Sequence, residues 1–539
     1  MAYVLSIDQG TSSSRCIIFD KQSQQVAAHQ LEHKQYFPAQ GQVEHDPEEI
    51  WTNVRTCINE VMQKAQLKAS DINSVGITNQ RETTIAWNRK TGKPYYNAIV
   101  WNDTRTVPIC NAIANGNIDL LRARTGLPIA PYFSASKLIW LFQNVPGLLE
   151  DAKSGEAAVG TVDSYLIFKL TNGSVHKTDL TNASRTLCMN IDSLQWDDYC
   201  LDKLGIPKRC LAEIAPFTSG EFGYVFAPGC ACIDGVLIGG VLGDQQAALF
   251  GQTCFGAGEA KNTYGTGAFL LMNTGTQAKQ SRTGLLTTVA YKNGKDSPAV
   301  YALEGSVAYC GSLIQWLRDN LQIISTIAES EELARTVDDS GGMFFVPAFA
   351  GLHTPYWDST ARGCMVGMTA FNTKAHVARA ALEAPAFQTE EVLRAMRTDS
   401  NIELKSLKVD GGMTKNELVM QFQSDLLNVP LYCPTNTETT ALGAAFAAGL
   451  AGGLWKDEEE LKATWAVAKT FSPCMGADKR RSLLKLWHKA VQKSRAWDVD
   501  TDSDSLFSSV VAGLSQPFKV LGFGILFGMV LHRSFLAKS

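Results

Sequence analysis

The sequence predicts an α/β protein of two large domains that hold a ligand between them, and three observations carry this expectation. At 539 residues the chain exceeds what one hydrophobic core usually supports. Short apolar runs of strand type alternate with stretches of helical periodicity, as in open α/β sheets. Small-residue turns close three of those strands, at Asp8-Gln-Gly-Thr-Ser-Ser-Ser14, Thr263-Tyr-Gly-Thr-Gly267 and Asp410-Gly-Gly-Met-Thr414. A single turn of this kind is weak evidence, whereas three in this order can hold a chain of phosphates between two related halves.

Tyr3–Ile7 and Arg15–Phe19 read as the strands of a hairpin with a polar tip. Clustered backbone N–H groups and hydroxyls make that tip an anion cradle, and Asp8 can hold a phosphate-bound metal ion through water. An ordinary hairpin turn is the competing reading. Asp46 as N-cap and Pro47 at the first position open a helix that runs to about Ala65. Ile72–Thr78 is a strand that delivers Arg81 and Glu82, which can clasp a polyol by donating to and accepting from its hydroxyls. A surface ion pair is the alternative there. Ala98–Arg105 is another strand end, with Trp101 placed to cover ligand carbons, and a helix begins near Tyr132.

Val236–Gly243 is an apolar strand, Asp244 follows it, and Gln245–Phe250 begins a helix. A carboxylate at the carboxyl end of a strand stands where open α/β sheets bind ligands, so Asp244 is the candidate catalytic base. Its alternative role is that of a helix N-cap. Asn262–Met272 repeats the turn-and-strand theme of the N-terminus, and the Asp410-Gly-Gly turn leads into a helix near Glu417.

A net charge of −4 argues against a nucleic-acid partner, which would call for a basic excess. Thirteen scattered cysteines and no signal-peptide pattern at Met1–Asp8 point to a reducing compartment. Cys230-Ala-Cys232 lacks the spacing of a redox or zinc pair, and Asn172-Gly-Ser174 and Asn182-Ala-Ser184 would matter as glycosylation sites only in a secreted chain. The Gly-x-x-x-x-Gly-Lys and Gly-x-Gly-x-x-Gly nucleotide fingerprints are absent.

Longer motifs now carry a resemblance. Asp8-Gln-Gly-Thr-Ser-Ser-Ser-Arg15, Phe37–Pro47, Thr78-Asn-Gln-Arg-Glu-Thr-Thr84, Tyr132–Asn144 and Gly363–Met368 with His376–Glu383 resemble the glycerol kinases of the FGGY carbohydrate kinase family over about residues 1 to 495. The resemblance implies two ribonuclease-H-like domains of the actin, hexokinase and Hsp70 type, residues 1–253 and 254–497, closing like a hinge on an interdomain cleft. It implies ATP-dependent phosphorylation of glycerol to sn-glycerol 3-phosphate. Glycerol would be held by Arg81, Glu82, Tyr132, Asp244 and Gln245, with Trp101 and Phe269 against its carbons. ATP would be held by Thr11, Ser12, Arg15, Thr266, Gly311, Gln315, Gly412 and Asn416, and Mg2+ is expected at Asp8 and Asp244 through water. A kinase for xylulose or dihydroxyacetone, or a catalytically silent membrane-tethered protein, is the alternative, and a homo-oligomer is left open.

Two departures from the family stand out. Pro385 falls inside a helix expected from about Thr373 to Met396, where it should cost about 3 kcal/mol or kink the helix. Gly229-Cys-Ala-Cys-Ile233 lacks the Gly/Arg loop with which bacterial relatives bind fructose 1,6-bisphosphate. Beyond the resemblance, residues 498–509 read as an acidic linker, and 510–533 as a C-terminal hydrophobic tail helix. That tail, with Lys519 snorkelling toward one interface and His532-Arg533 at its end, leads us to expect an anchor in the mitochondrial outer membrane with the catalytic domains in the cytosol; the alternative is a terminal helix docked on the kinase core of a cytoplasmic protein.

Overall fold

A computed structural model of the chain describes residues 2–497. Strand β1 (Tyr3–Gln9) pairs antiparallel with β2 (Ser13–Phe19), and β2 antiparallel with β3 (Gln25–Glu32). On its other side β1 lies parallel to β4 (Ile72–Asn79), and β4 parallel to β5 (Leu237–Gly243). The spatial order is β3-β2-β1-β4-β5.

The second half repeats this plan. Its strands are β6 (Ala260–Tyr264), β7 (Ala268–Gly275), β8 (Leu286–Tyr291), β9 (Val300–Val307), β10 (Leu407–Asp410), β11 (Leu431–Pro434) and β12 (Val467–Phe471). They are ordered β8-β9-β7-β6-β10-β11-β12. With the edge strands β8 and β12 set aside, β9-β7-β6-β10-β11 has the order and the antiparallel-then-parallel pairing of the first sheet. Two related halves, expected from the recurring turns, are thus present as two ribonuclease-H-like sheets.

Helix α1 (Pro47–Ala65) starts as expected, with Asp46 accepting from the Glu48 amide and Pro47 at its first position. Ile50, Trp51, Val54, Cys57, Ile58, Val61 and Met62 form its buried stripe, packed in the core of the first sheet. Helix α2 (Ser134–Asn144) follows Tyr132, and α3 (Asp244–Gly251) follows β5 without a break. The second half adds α4 (Gly311–Asp319), α5 (Lys374–Ser400), α6 (Glu417–Leu427) and α7 (Thr439–Ala451).

Helix α7 is apolar all round, as its Ala- and Gly-rich sequence requires of a buried helix. It packs in one cluster with Val4, Leu242, Ala247 and Phe250 of the first half and Leu271 and Ala302 of the second. A Cβ on Gly443 would stand 1.8 Å from the Ala247 carbonyl oxygen, so only glycine lets α7 cross α3 at this distance. That shared cluster makes the chain up to Arg495 one compact unit.

Helix α5 runs unbroken from Lys374 to Ser400 with Pro385 buried inside it. Proline therefore does not end the helix; it leaves the Ala381 carbonyl without an amide donor from the next turn, among the small neighbours Ala378, Ala381, Ala384 and Ala386. All thirteen cysteines are free thiols. Asn182 is buried and bonded to Asn79 and Asp179, which removes it as a glycosylation acceptor. Among the described residues no helix is long and apolar enough to cross a membrane. The acidic linker 498–509 and the hydrophobic segment 510–533 lie outside the described residues.

Candidate active site

The turn after β4 and the start of α3 bring opposite charges together. Arg81 is buried, and its Nη1 and Nη2 donate to the two carboxylate oxygens of Glu304, each at 2.7 Å. Its Nη1 also donates to Gln246 Oε1 at 3.1 Å, and its Nε lies 3.1 Å from Asp244 Oδ1. A Cβ on Gly243 would sit 2.6 Å from the Arg81 Cγ and Cδ atoms, so the glycine before Asp244 is where the arginine stem lies. Glu82 has a left-handed backbone, φ 60°, and its carboxylate accepts from Arg185 Nε at 2.7 Å. Strain of this kind in a residue other than glycine persists only where the surroundings hold it, commonly at functional sites.

Asp244 is the first residue of α3, and Gly243 is the N-cap. Besides its contact with Arg81, its carboxylate accepts from the neighbouring Gln245 amide and makes no capping bond to the helix, so the capping alternative falls. The Asp244 side chain is 29% exposed, against 2% for Arg81 and 2% for Glu304, which makes it the most open of the three. Withdrawal from water pushes its carboxyl up to about 6, Arg81 opposing and the Glu82 charge adding. Such a group is ionised at neutral pH and basic enough to take a hydroxyl proton.

Gln245, the next residue, accepts from the buried Lys261 Nζ at 2.5 Å. That bond turns the Gln245 amide nitrogen away from Lys261. Burial pulls Lys261 down to about 8 against the pull of Asp410 and Asp244. Beside the charges stands an aromatic wall: the Trp101 ring lies 5.7 Å from that of Tyr132 and 6.3 Å from that of Phe269, both nearly perpendicular. Trp101 Nε1 donates to Thr11 Oγ1 at 2.9 Å, tying the wall to the first turn.

Five of the residues expected at the nucleotide line one cleft of about 580 Å³: Thr266, Gly311, Gln315, Gly412 and Asn416. The Gly311 amide donates to Gly265 O at 2.9 Å, fixing the start of α4 against the turn after β6. Asn416 caps α6 by accepting from the Val419 amide at 3.0 Å. Two helix N-termini beside one cleft favour an anion. Thr11, Ser12 and Arg15 do not line it; they sit on the β1–β2 hairpin. Arg15 bridges Asp8 at 2.8 Å and Glu438 at 2.6 Å, so an incoming phosphate would compete with both carboxylates.

Sequence reading missed Glu304, Arg185 and Lys261. Glu304 and Lys261 lie within the strand runs Val300–Val307 and Ala260–Tyr264, and a charge inside such a run is itself a signal, since a buried charge needs a partner. Nothing in the local pattern around Arg185 marks it.

The N-terminal domain profile of the FGGY family of carbohydrate kinases matches residues 3–251, and the C-terminal domain profile matches residues 260–452. The chain belongs to the FGGY family of carbohydrate kinases. Within this family it is 53% identical to a glycerol kinase of Chloroflexus aggregans over 499 residues, covering 92% of this chain and 99% of that protein. It is 54% identical to a glycerol kinase of Brucella anthropi over a stretch of the same length. Among solved structures, the Plasmodium falciparum glycerol kinase with ADP superposes with a TM-score of 0.87 at 39% identity, covering 92% of this chain and 98% of that one. A xylulose kinase of Lactobacillus acidophilus shares the fold at 23% identity, with a TM-score of 0.80.

Proposed function

We propose that this family member transfers the γ-phosphoryl group of ATP to a terminal hydroxyl of glycerol, giving sn-glycerol 3-phosphate and ADP. The observation that carries the reading is the placement of Asp244: a partly exposed carboxylate beside the buried Arg81 guanidinium, in a charge cluster whose Arg185 lies against the Tyr132 ring of the aromatic wall. The small triol would lie with its carbons on Trp101 and Phe269. Its hydroxyls would donate to Glu82 and accept from Arg81, whose second Nη2 N–H is left over once Glu304 has taken the first. Asp244 would take the proton from the attacking hydroxyl as its oxygen bonds to the γ-phosphorus and the bond to ADP breaks.

ATP would lie along the 580 Å³ cleft with its phosphates toward the turns at Thr11, Thr266 and Gly412. Among the described residues no group of three or more His, Cys, Asp or Glu side chains could hold a metal ion. That fits Mg2+ carried mostly by phosphate oxygens and water, with Asp8 and Asp244 as its protein oxygens, where it would offset phosphate charge. Residues 1–253 and 254–497 serve as the two domains in this reading.

A coupled assay of ADP release over glycerol, dihydroxyacetone and xylulose tests the proposal. Glycerol is expected to give the highest kcat/KM. A preference for xylulose, or ADP release that no added polyol stimulates, would overturn it.

A further inference from the structure

We propose that Glu304, a carboxylate of the second FGGY domain, is a positioning residue for the polyol clasp of the first domain, holding Arg81 in plane and keeping Arg185 on Glu82. The inference rests on the reading of this cleft as the glycerol site.

Glu304 lies in the middle of β9, opposite Leu271 of β7 and Leu286 of β8, in a strand buried along almost its whole length. A carboxylate in such a place is tolerated only if its oxygens are fully paired. Arg81 takes both oxygens at 2.7 Å, in the two-pronged geometry that fixes the plane of a guanidinium as well as its position. Arg185 adds contacts at 3.3 and 3.4 Å. Arg185 in turn gives its Nε to Glu82, with its guanidinium 5.6 Å from the Tyr132 ring.

The result is one chain of alternating charge, Glu82 to Arg185 to Glu304 to Arg81 to Asp244. Its two ends are the carboxylates assigned to substrate, and its centre is the one member contributed from beyond residue 251, where the first family domain ends. Both carboxylate oxygens of Glu304 are taken by the two arginines, so its influence on a ligand passes through them. Burial alone would raise its pKa, yet Arg185 and Arg81 hold it at about 2, so the link stays ionised at every working pH. If Glu304 is lost, Arg81 is free to turn its fork toward Asp244, and the N–H assigned to a glycerol hydroxyl leaves its place. The polyol site is therefore completed only when both domains contribute to it.

The test compares Glu304→Gln and Glu304→Asp with the parent in the coupled assay, varying glycerol and ATP separately. Loss of one member of a buried, hydrogen-bonded charge pair predicts a rise in the glycerol KM of about 10²-fold for the Gln variant. Glu304→Asp keeps the charge but retracts the fork, and a rise of about tenfold is expected. The ATP KM should stay within about twofold in both. If Glu304→Gln fails to fold, the Asp variant decides alone. An unchanged glycerol KM in a folded variant, or glycerol and ATP constants that rise together, overturns the inference while leaving the glycerol reading intact. A parent that does not turn over glycerol overturns both.

Discussion

At the scale of the residue, the proposed chemistry turns on one carboxylate whose surroundings make it a better base than a free aspartate. The Asp244 carboxyl stands near 6 because burial outweighs the nearby arginine. It must be ionised to accept a proton, so activity is full above that value and lost as pH falls through it. We expect kcat/KM for glycerol to decline below about pH 6, approaching tenfold per pH unit, and a pH–rate profile checks this. A profile flat down to pH 4.5 would show that no group of this kind acts as base. Asp244, Arg81 and Glu82 were legible in the sequence because they end strands, where ligands bind. What they do to one another was not. Adjacent in the chain, Arg81 and Glu82 face different partners, and those partners, Glu304 and Arg185, lie 223 and 103 residues away.

At the scale of the element, strand and helix ends follow local rules and were readable. Asp46-Pro47 starts α1, and the apolar run to Gly243 gives β5. The strand Glu44–His45 is two residues long and carries no periodicity to read, whereas its partner Ala98–Ile99 was read as a strand end, though longer than it is; both belong to the sheet beside which Trp101 stands. Helix crossings were not readable either, because a glycine records a close approach without naming the partner. The α3–α7 crossing is such a case. At Gly443 a methyl group would meet the Ala247 backbone at 1.8 Å, and Asp244 lies one turn earlier on the same helix. Gly443→Ala should therefore lower stability by about 1–3 kcal/mol through overpacking and reduce kcat more than the glycerol KM. Thermal unfolding and steady-state kinetics check both; an unaltered melting temperature would mean the crossing yields easily.

At the scale of the whole molecule, two sheets of one plan are joined through the α7 cluster, and in the proposed reading each half supplies part of the chemistry. The first provides Arg81, Glu82, Trp101 and Asp244. The second provides the cleft proposed for the nucleotide, Phe269 and the buried Glu304. The recurring turns made the duplication legible, whereas the way one half completes the other's site arises only in three dimensions. The claim at the centre is that this architecture places Asp244 to deprotonate glycerol, and turnover of the Asp244→Asn variant at saturating glycerol and ATP tests it most directly. The amide keeps the shape but takes no proton, so we predict a loss of about 10²-fold or more in kcat, with the ATP KM unchanged. Turnover near that of the parent would contradict the account.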